Sequence, residues 1–141
     1  MIKRTTFMLL ILISNSVFSA VFIANSSLDS VDNNPGNGVC ADINGRCSLR
    51  AAIQETNALV GADTVILPRF STYNILFPYG ELSITDSLTL RIADPGLPIT
   101  SIADMPVIDG KNVDRVFHIT GAADVTIFGL FITNGNALPL N

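Results

Sequence analysis

The sequence is poor in the side chains that most often bind metals or carry out catalysis. Its 141 residues include no Trp, one His and two Cys, and only 14% are charged. A structural zinc site needs four thiolate or imidazole ligands, and only Cys40, Cys47 and His118 could serve here. The two cysteines are also too far apart for a C-x-x-C redox motif. The sequence therefore predicts no zinc centre and no dithiol of that kind.

The polar loop at residues 26–38 does not have the pattern of a calcium-binding loop. An EF-hand loop places Gly at its sixth position. Counted from Asp32, Gly36 falls at the fifth position and Asn37 at the sixth. The pattern fails, so we expect a solvated loop and no metal ion.

The chain also lacks an apolar run long enough to cross a bilayer, which takes about 20 residues. The longest run, FMLLILI, follows Lys3 and Arg4 and precedes small and polar residues. This pattern is typical of a secretory signal peptide over residues 1–19, cleaved after Ser19 or after Ala20. It predicts a secreted or cell-surface protein with no transmembrane helix in the mature chain.

Positive charge is scarce. Eight Lys and Arg face twelve Asp and Glu, for a net charge of −4, and loss of Lys3 and Arg4 with the leader would leave −6. Binding to nucleic acid needs clustered cations. We therefore expect no nucleic-acid partner.

The two cysteines are predicted to form a disulfide. A secreted chain with an even cysteine count usually oxidises them to each other, and residues 42–45 (DING) can reverse the chain between Cys40 and Cys47. The alternative is a reactive Cys47 thiol, activated by a helix N-terminus and paired with His118. The expected secretion and the chain reversal at residues 42–45 both favour the disulfide.

One amphipathic helix is predicted, at about residues 48–60. Ser48 can cap its start and Gly61 can end it. Apolar or small residues repeat along one face of this segment, at Leu49, Ala52, Ile53, Thr56 and Val60.

After Gly61 the chain changes to short β-branched runs separated by Gly, Pro, Asp or Asn. Many short strands of this kind predict an all-β sandwich, barrel or solenoid. Ile66, Leu90 and Phe117 lie in similar apolar settings, which suggests equivalent positions in successive coils of a solenoid. No Asn-Gly hairpin turn separates these strands, which disfavours an antiparallel meander.

The segment VTIFGLFITNG (residues 125–135) supports the solenoid. Val125 and Ile127 alternate on one face of a strand, whereas Leu130 and Ile132 have the opposite parity. A bend at Gly129 would turn all four side chains toward one interior.

The run CSLRAAIQETNA (residues 47–58), with an upstream cysteine, resembles the CSLREA domain of secreted bacterial proteins. Ala51 stands where the motif has Glu. The resemblance implies a right-handed parallel β-helix, similar to the pectin-lyase-like fold, with a capping helix over its N-terminal end. It implies buried helix contacts at Leu49, Ile53 and Val60, and Asn134 in an asparagine ladder or, equally, in a surface turn.

The domain boundaries that we expect are a leader at 1–19, an N-terminal cap at 20–62 and incomplete β-helix coils at 63–141. The last strand is followed directly by NALPLN, without a second cap. We therefore expect a longer protein, a truncated relative, or a protomer whose open end another chain covers.

No catalytic residue and no cofactor are predicted. The charged candidates are scattered and are interpreted as solvated turns. They are Arg91, Asp94, Asp104, Asp109, Lys111 and Asp114. His118 alternates with Val116 and Thr120 and is predicted to lie on the lateral surface.

The first functional hypothesis is a secreted structural or adhesive β-helix segment without catalytic activity. Its partners would be a surface polysaccharide, or another protein at the open C-terminal end. The alternative is the N-terminal part of a carbohydrate-active lyase or hydrolase whose catalytic coils are missing from this sequence.

Overall fold

The structure is a computed structural model that describes residues 19–137. The predicted leader, apart from Ser19, lies outside the described residues. Within 19–137 the chain forms nine strands, one α-helix and a short 3-10 helix. The helix α1 is Leu49–Ala58 and the 3-10 helix is Ile102–Asp104. The strands are β1 Val21–Ile23, β2 Asp63–Leu67, β3 Thr72–Asn74, β4 Leu82–Ile84, β5 Leu88–Ile92, β6 Val107–Asp109, β7 Phe117–Ile119, β8 Val125–Phe128 and β9 Phe131–Thr133.

The strands form three sheets, and every strand pairing is parallel. Sheet 1 has the order β1-β2-β5-β8, sheet 2 the order β3-β6-β9, and sheet 3 pairs β4 with β7. From β2 onward the chain visits sheets 1, 2 and 3 in that order, repeats the cycle, and begins it a third time. The predicted all-β class is confirmed as a mostly strand fold with one helix.

The core lies on the inward face of strands β1 to β6, each of which has at least one buried residue. Side chains alternate between the two faces of a strand, and β2 and β5 both alternate buried and half-buried residues. The register places Val65 beside Leu90, and Leu90 beside Ile127. Val65 and Leu90 are wholly buried. Columns of like side chains thus run from strand to strand across sheet 1.

The predicted equivalence of Ile66, Leu90 and Phe117 is wrong. Leu90 pairs with Val65, whereas Phe117 lies in sheet 3 beside Leu82. For Phe117 the reason is an insertion: residues 93–106, with the 3-10 helix, lengthen the connection between β5 and β6. An even spacing in sequence therefore does not follow the spatial repeat.

The predicted bend at Gly129 is confirmed. Gly129 has φ +71° and separates β8 from β9. An added Cβ would come within 2.4 Å of the Ile92 side chain, so only glycine fits. Beyond the bend, Ile132 lies beside the buried Ile108.

The helix begins as predicted and ends early. The Ser48 hydroxyl caps it by accepting from the Ala51 N–H at 3.0 Å. Leu49 and Ile53 are buried as expected, but Val60 is 76% exposed. The reason is that Leu59 already has extended backbone (ψ 155°), which turns the following residue outward. Leu59 packs against the core in place of Val60.

Candidate functional site

The predicted disulfide is present between Cys40 and Cys47, whose Cα atoms lie 5.1 Å apart. The hairpin between them is closed by the Asp42 N–H donating to the Arg46 carbonyl at 2.8 Å. The Arg46 backbone N–H and guanidinium hold the pKa of Asp42 well below its usual range. The bridge thus joins the hairpin to the first turn of α1, with no free thiol among the described residues.

Replacing both Cys40 and Cys47 by alanine should lower the free energy of unfolding by about 2.5 kcal/mol, because a short closed loop no longer restricts the unfolded chain. Urea unfolding of the two proteins measures the difference. In a mass measurement without reductant, the native chain should be two hydrogens lighter than the reduced chain. Equal masses, or equal urea midpoints, would contradict the structural role.

An ion pair buried under the helix ties it to a loop and to β4. Arg50 Nε lies 2.6 Å from Asp29 Oδ1, and less than a tenth of either side chain is exposed. The same guanidinium donates to the carbonyl oxygens of Gly80 and Glu81 at 2.6 and 2.9 Å. Asp29 also accepts from the Leu76 N–H at 2.8 Å. One arginine therefore joins three segments.

A carboxylate on the helix organises the preceding loop. Glu55 is 0% exposed, and its two oxygens accept from the backbone N–H groups of Gly36, at 2.6 Å, and Gly38. Nearby, Asp32 accepts from the N–H groups of Asn34 and Ala41 at 2.8 and 2.9 Å. The loop expected to be merely solvated is instead held against α1 by buried carboxylates.

Sequence reasoning missed Arg50 and Glu55 because it followed only the apolar face of the helix. A carboxylate on a short predicted helix that follows a Gly-rich loop is a usable sequence signal for such contacts, since the loop offers free N–H donors. We call residues 20–59 the capping segment. Its helix packs on β2 and β4, and β1 is the edge strand of sheet 1.

His118 lies on the lateral surface, as predicted, with its side chain 40% exposed. It has a partner that the sequence did not reveal: its Nδ1 lies 2.8 Å from Glu81 Oε1, while Arg115 contacts Glu81 Oε2. Glu81 raises the pKa of Arg115 above its usual value. The three side chains link the residues before β4 with β7, as a surface ion-pair cluster.

Of the other charged candidates, Asp94, Asp104, Lys111 and Asp114 lie between strands, whereas Arg91 lies in β5 and Asp109 ends β6, so the prediction of a turn is wrong for these two. Lys111 Nζ lies 2.9 Å from Asp109 Oδ2, and the Asn134 amide donates to Asp109 Oδ1 at 2.9 Å. Lys111 and Asn134 thereby lower the pKa of Asp109 to about 2. Asp104 bonds within its own turn, to Thr100.

Asn134 lies directly after β9, in a turn. Its backbone has φ +52°, which asparagine tolerates, and its carbonyl accepts from the Asn112 N–H at 2.9 Å. The asparagine ladder and the surface turn both stay predictions.

Two further features could contact partners. An open groove of about 480 Å³ lies beside the end of β1 and the start of β3, lined by Asn25, Ser27, Phe70, Tyr73 and others. Phe70 is 70% exposed and has φ +63°. The second feature is the outer edge of β7, β8 and β9, where several large apolar side chains are exposed. They are Ile119, Phe128, Phe131 and Ile132.

Between residues 19 and 137 no three His, Cys, Asp or Glu side chains come together in a group that could hold a metal ion. No helix in that part of the chain is long and apolar enough to cross a membrane.

Comparison with protein-family models, with curated proteins and with solved structures finds no match to this chain. The resemblance of residues 47–58 to the CSLREA domain therefore stays a prediction that rests on those residues alone.

Proposed function

We propose that this chain is a secreted or cell-surface parallel β-helix segment with a structural and adhesive role, closed at its N-terminal end by the capping segment. One observation carries the proposal: the chain passes through three parallel sheets in a repeating order. Successive coils of a parallel β-helix would produce that order, with inward side chains stacked from coil to coil.

The capping segment supports the same function. The first coil of such a solenoid exposes an apolar interior and unpaired strand edges unless something covers it. Here α1 lies on β2 and β4. The buried Arg50 ties it to the residues before β4, and the buried Glu55 ties it to the preceding loop. A covered first coil would keep the protein from associating edge to edge at that end.

We place the adhesive contact in the groove beside Phe70. Its ring is exposed, and the groove also offers the amide of Asn25 and the hydroxyl of Ser27. An aromatic face with nearby polar groups suits a sugar ring, which has an apolar face and hydroxyl edges. A neutral surface polysaccharide is therefore the ligand class that we propose.

The test is binding and turnover of soluble polysaccharides by the purified secreted protein. We expect retardation in gels that contain a neutral polysaccharide, no release of reducing ends, and loss of retardation in Phe70→Ala. Phe77→Ala is the matched control, because Phe77 is 85% exposed and does not line the groove. Equal behaviour of both variants would contradict the groove. Release of reducing ends by this protein would contradict the proposed lack of catalytic activity.

A further inference from the structure

Asp63 is a buried carboxylate with an incomplete set of partners. It begins β2 and is 1% exposed. Its Oδ1 accepts from the Ala20 backbone N–H at 2.7 Å, whereas its Oδ2 is buried and has no hydrogen-bond partner within residues 19–137. No Lys, Arg or His within residues 19–137 forms an ion pair with it. A buried charge of this kind is costly unless an opposite charge compensates it.

The one donor to Asp63 stands at the border of the predicted leader. Ala20 packs against the core, and its carbonyl accepts from the Thr64 N–H at 2.9 Å, so β1 is already held to β2 at this residue. Ser19, one residue earlier, is exposed and contacts the fold through its side chain, whose hydroxyl donates to the Ala62 carbonyl at 2.6 Å. The backbone pairing of β1 with β2 thus reaches back to Ala20, the residue that follows the first predicted cleavage position.

The two predicted cleavage positions differ in what they do to Asp63. Cleavage after Ser19 leaves small or modest residues, Val17 and Ser19, at the two positions that a signal peptidase reads. Cleavage after Ala20 would put Phe18 at the first of these positions and would remove the donor to Asp63. Only cleavage after Ser19 keeps the donor to the buried Asp63, so the carboxylate favours that position over cleavage after Ala20.

We propose that the Ser19–Ala20 bond is a processing site, and that the new α-ammonium group of Ala20 forms a buried ion pair with Asp63. A secretory endopeptidase hydrolyses the bond with one water molecule: Ser19 keeps the carboxylate, and Ala20 receives an amine. The amine takes up a proton at neutral pH. The peptide nitrogen has one hydrogen to donate, whereas the ammonium has three and a positive charge, enough for both oxygens of Asp63.

This inference rests on the proposed secretion, and it adds a consequence. Before cleavage no cation among residues 19–137 pairs with Asp63, and after cleavage the Ala20 ammonium would do so. The precursor should therefore be less stably folded than the mature chain, with a folded-to-unfolded ratio lower by roughly tenfold or more. Stable folding of the first coil would then follow removal of the leader.

The chain offers a simple test, because after the predicted cleavage it holds only two amines, the Ala20 α-amine and Lys111. A protein that begins at Ala20, released from a fusion partner without extra residues, is acylated under native conditions and mapped by mass. We expect the α-amine to react at least roughly tenfold more slowly than in the urea-unfolded chain. Lys111, half-exposed, is the internal reference.

Two variants make the test specific. Asp63→Asn should abolish the protection of the α-amine, and Asp124→Asn, an exposed carboxylate beside the same sheet, should leave it unchanged. A protein that begins at Ser19 carries its ammonium one residue too early and should unfold at lower urea. If Asp63→Asn does not fold, the urea unfolding of the proteins that begin at Ser19 and at Ala20 tests the ion pair instead. An α-amine that reacts at the unfolded rate in the Ala20 protein would overturn the ion pair.

Expression of the full chain in a secreting host tests the processing site itself. We expect a secreted protein whose first residue is Ala20. A secreted protein that begins elsewhere would overturn this inference and leave the proposed function standing. A chain retained in the cell with its leader intact would contradict the secretion on which both depend.

Discussion

Arg50→Ala is expected to lower the free energy of unfolding by about 3–5 kcal/mol, because it leaves Asp29 buried without its countercharge. Asp29 would keep only the Leu76 N–H as a donor, and the carbonyl oxygens of Gly80 and Glu81 would lose theirs. Urea unfolding followed by circular dichroism measures the change. Arg50→Lys should recover little of it, since an ammonium cannot reproduce the forked contacts of the guanidinium.

Arg46→Ala is the matched control for this prediction. Arg46 also contacts an aspartate, Asp42 at 2.8 Å, but 44% of its side chain is exposed. Exposed pairs of this kind stabilise proteins by about 1 kcal/mol or less. If the two alanine variants unfold at the same urea concentration, Arg50 does not hold the capping segment in place.

Glu55→Gln should cost about 2–3 kcal/mol, although it changes the shape of the side chain very little. Both carboxylate oxygens accept hydrogen bonds from backbone N–H groups, those of Gly36 and Gly38. A glutamine presents an NH₂ group to one of them, so two donors face each other in a buried place. The amide hydrogens of Gly36 and Gly38 should then exchange faster with solvent than in the parent protein.

Glu81→Gln applies the same substitution at the other glutamate of the described chain. Glu81 is partly exposed and its partners, Arg115 and His118, reach solvent. We expect a loss of about 1 kcal/mol or less, with no change in amide exchange at Gly36 and Gly38. Equal losses for Glu55→Gln and Glu81→Gln would contradict the special role of Glu55.

Several features could be predicted because they depend on residues close together in the chain. Ser48 caps the helix by accepting from the N–H of Ala51, three residues later, and Cys40 and Cys47 meet across one short turn. Gly129 marks a change of strand parity within a single segment. In each case the competing conformations differ locally, so propensity and spacing suffice to choose among them.

Other features could not be predicted, since they depend on loop lengths and on distant partners. Val60 matched the helical period, but the helix ends before it at Ala58. Ile66, Leu90 and Phe117 lie at similar spacings of 24 and 27 residues, but an insertion after β5 places Phe117 in another sheet. The carboxylate beside His118 comes from Glu81, 37 positions earlier. Nothing near His118 in the sequence indicates that neighbour.

The sequence by itself thus determined the strand-rich class, the single capped helix, the disulfide and the bend at Gly129. Only the tertiary structure decided which strands pair, that Arg50 and Glu55 are buried with hydrogen-bond partners, and that Asp63 is buried with one oxygen unpartnered among residues 19–137. The physical reason is that a hydrophobic pattern records which side chains avoid water, whereas a buried charge is acceptable only where a particular partner, often far away in sequence, comes to meet it.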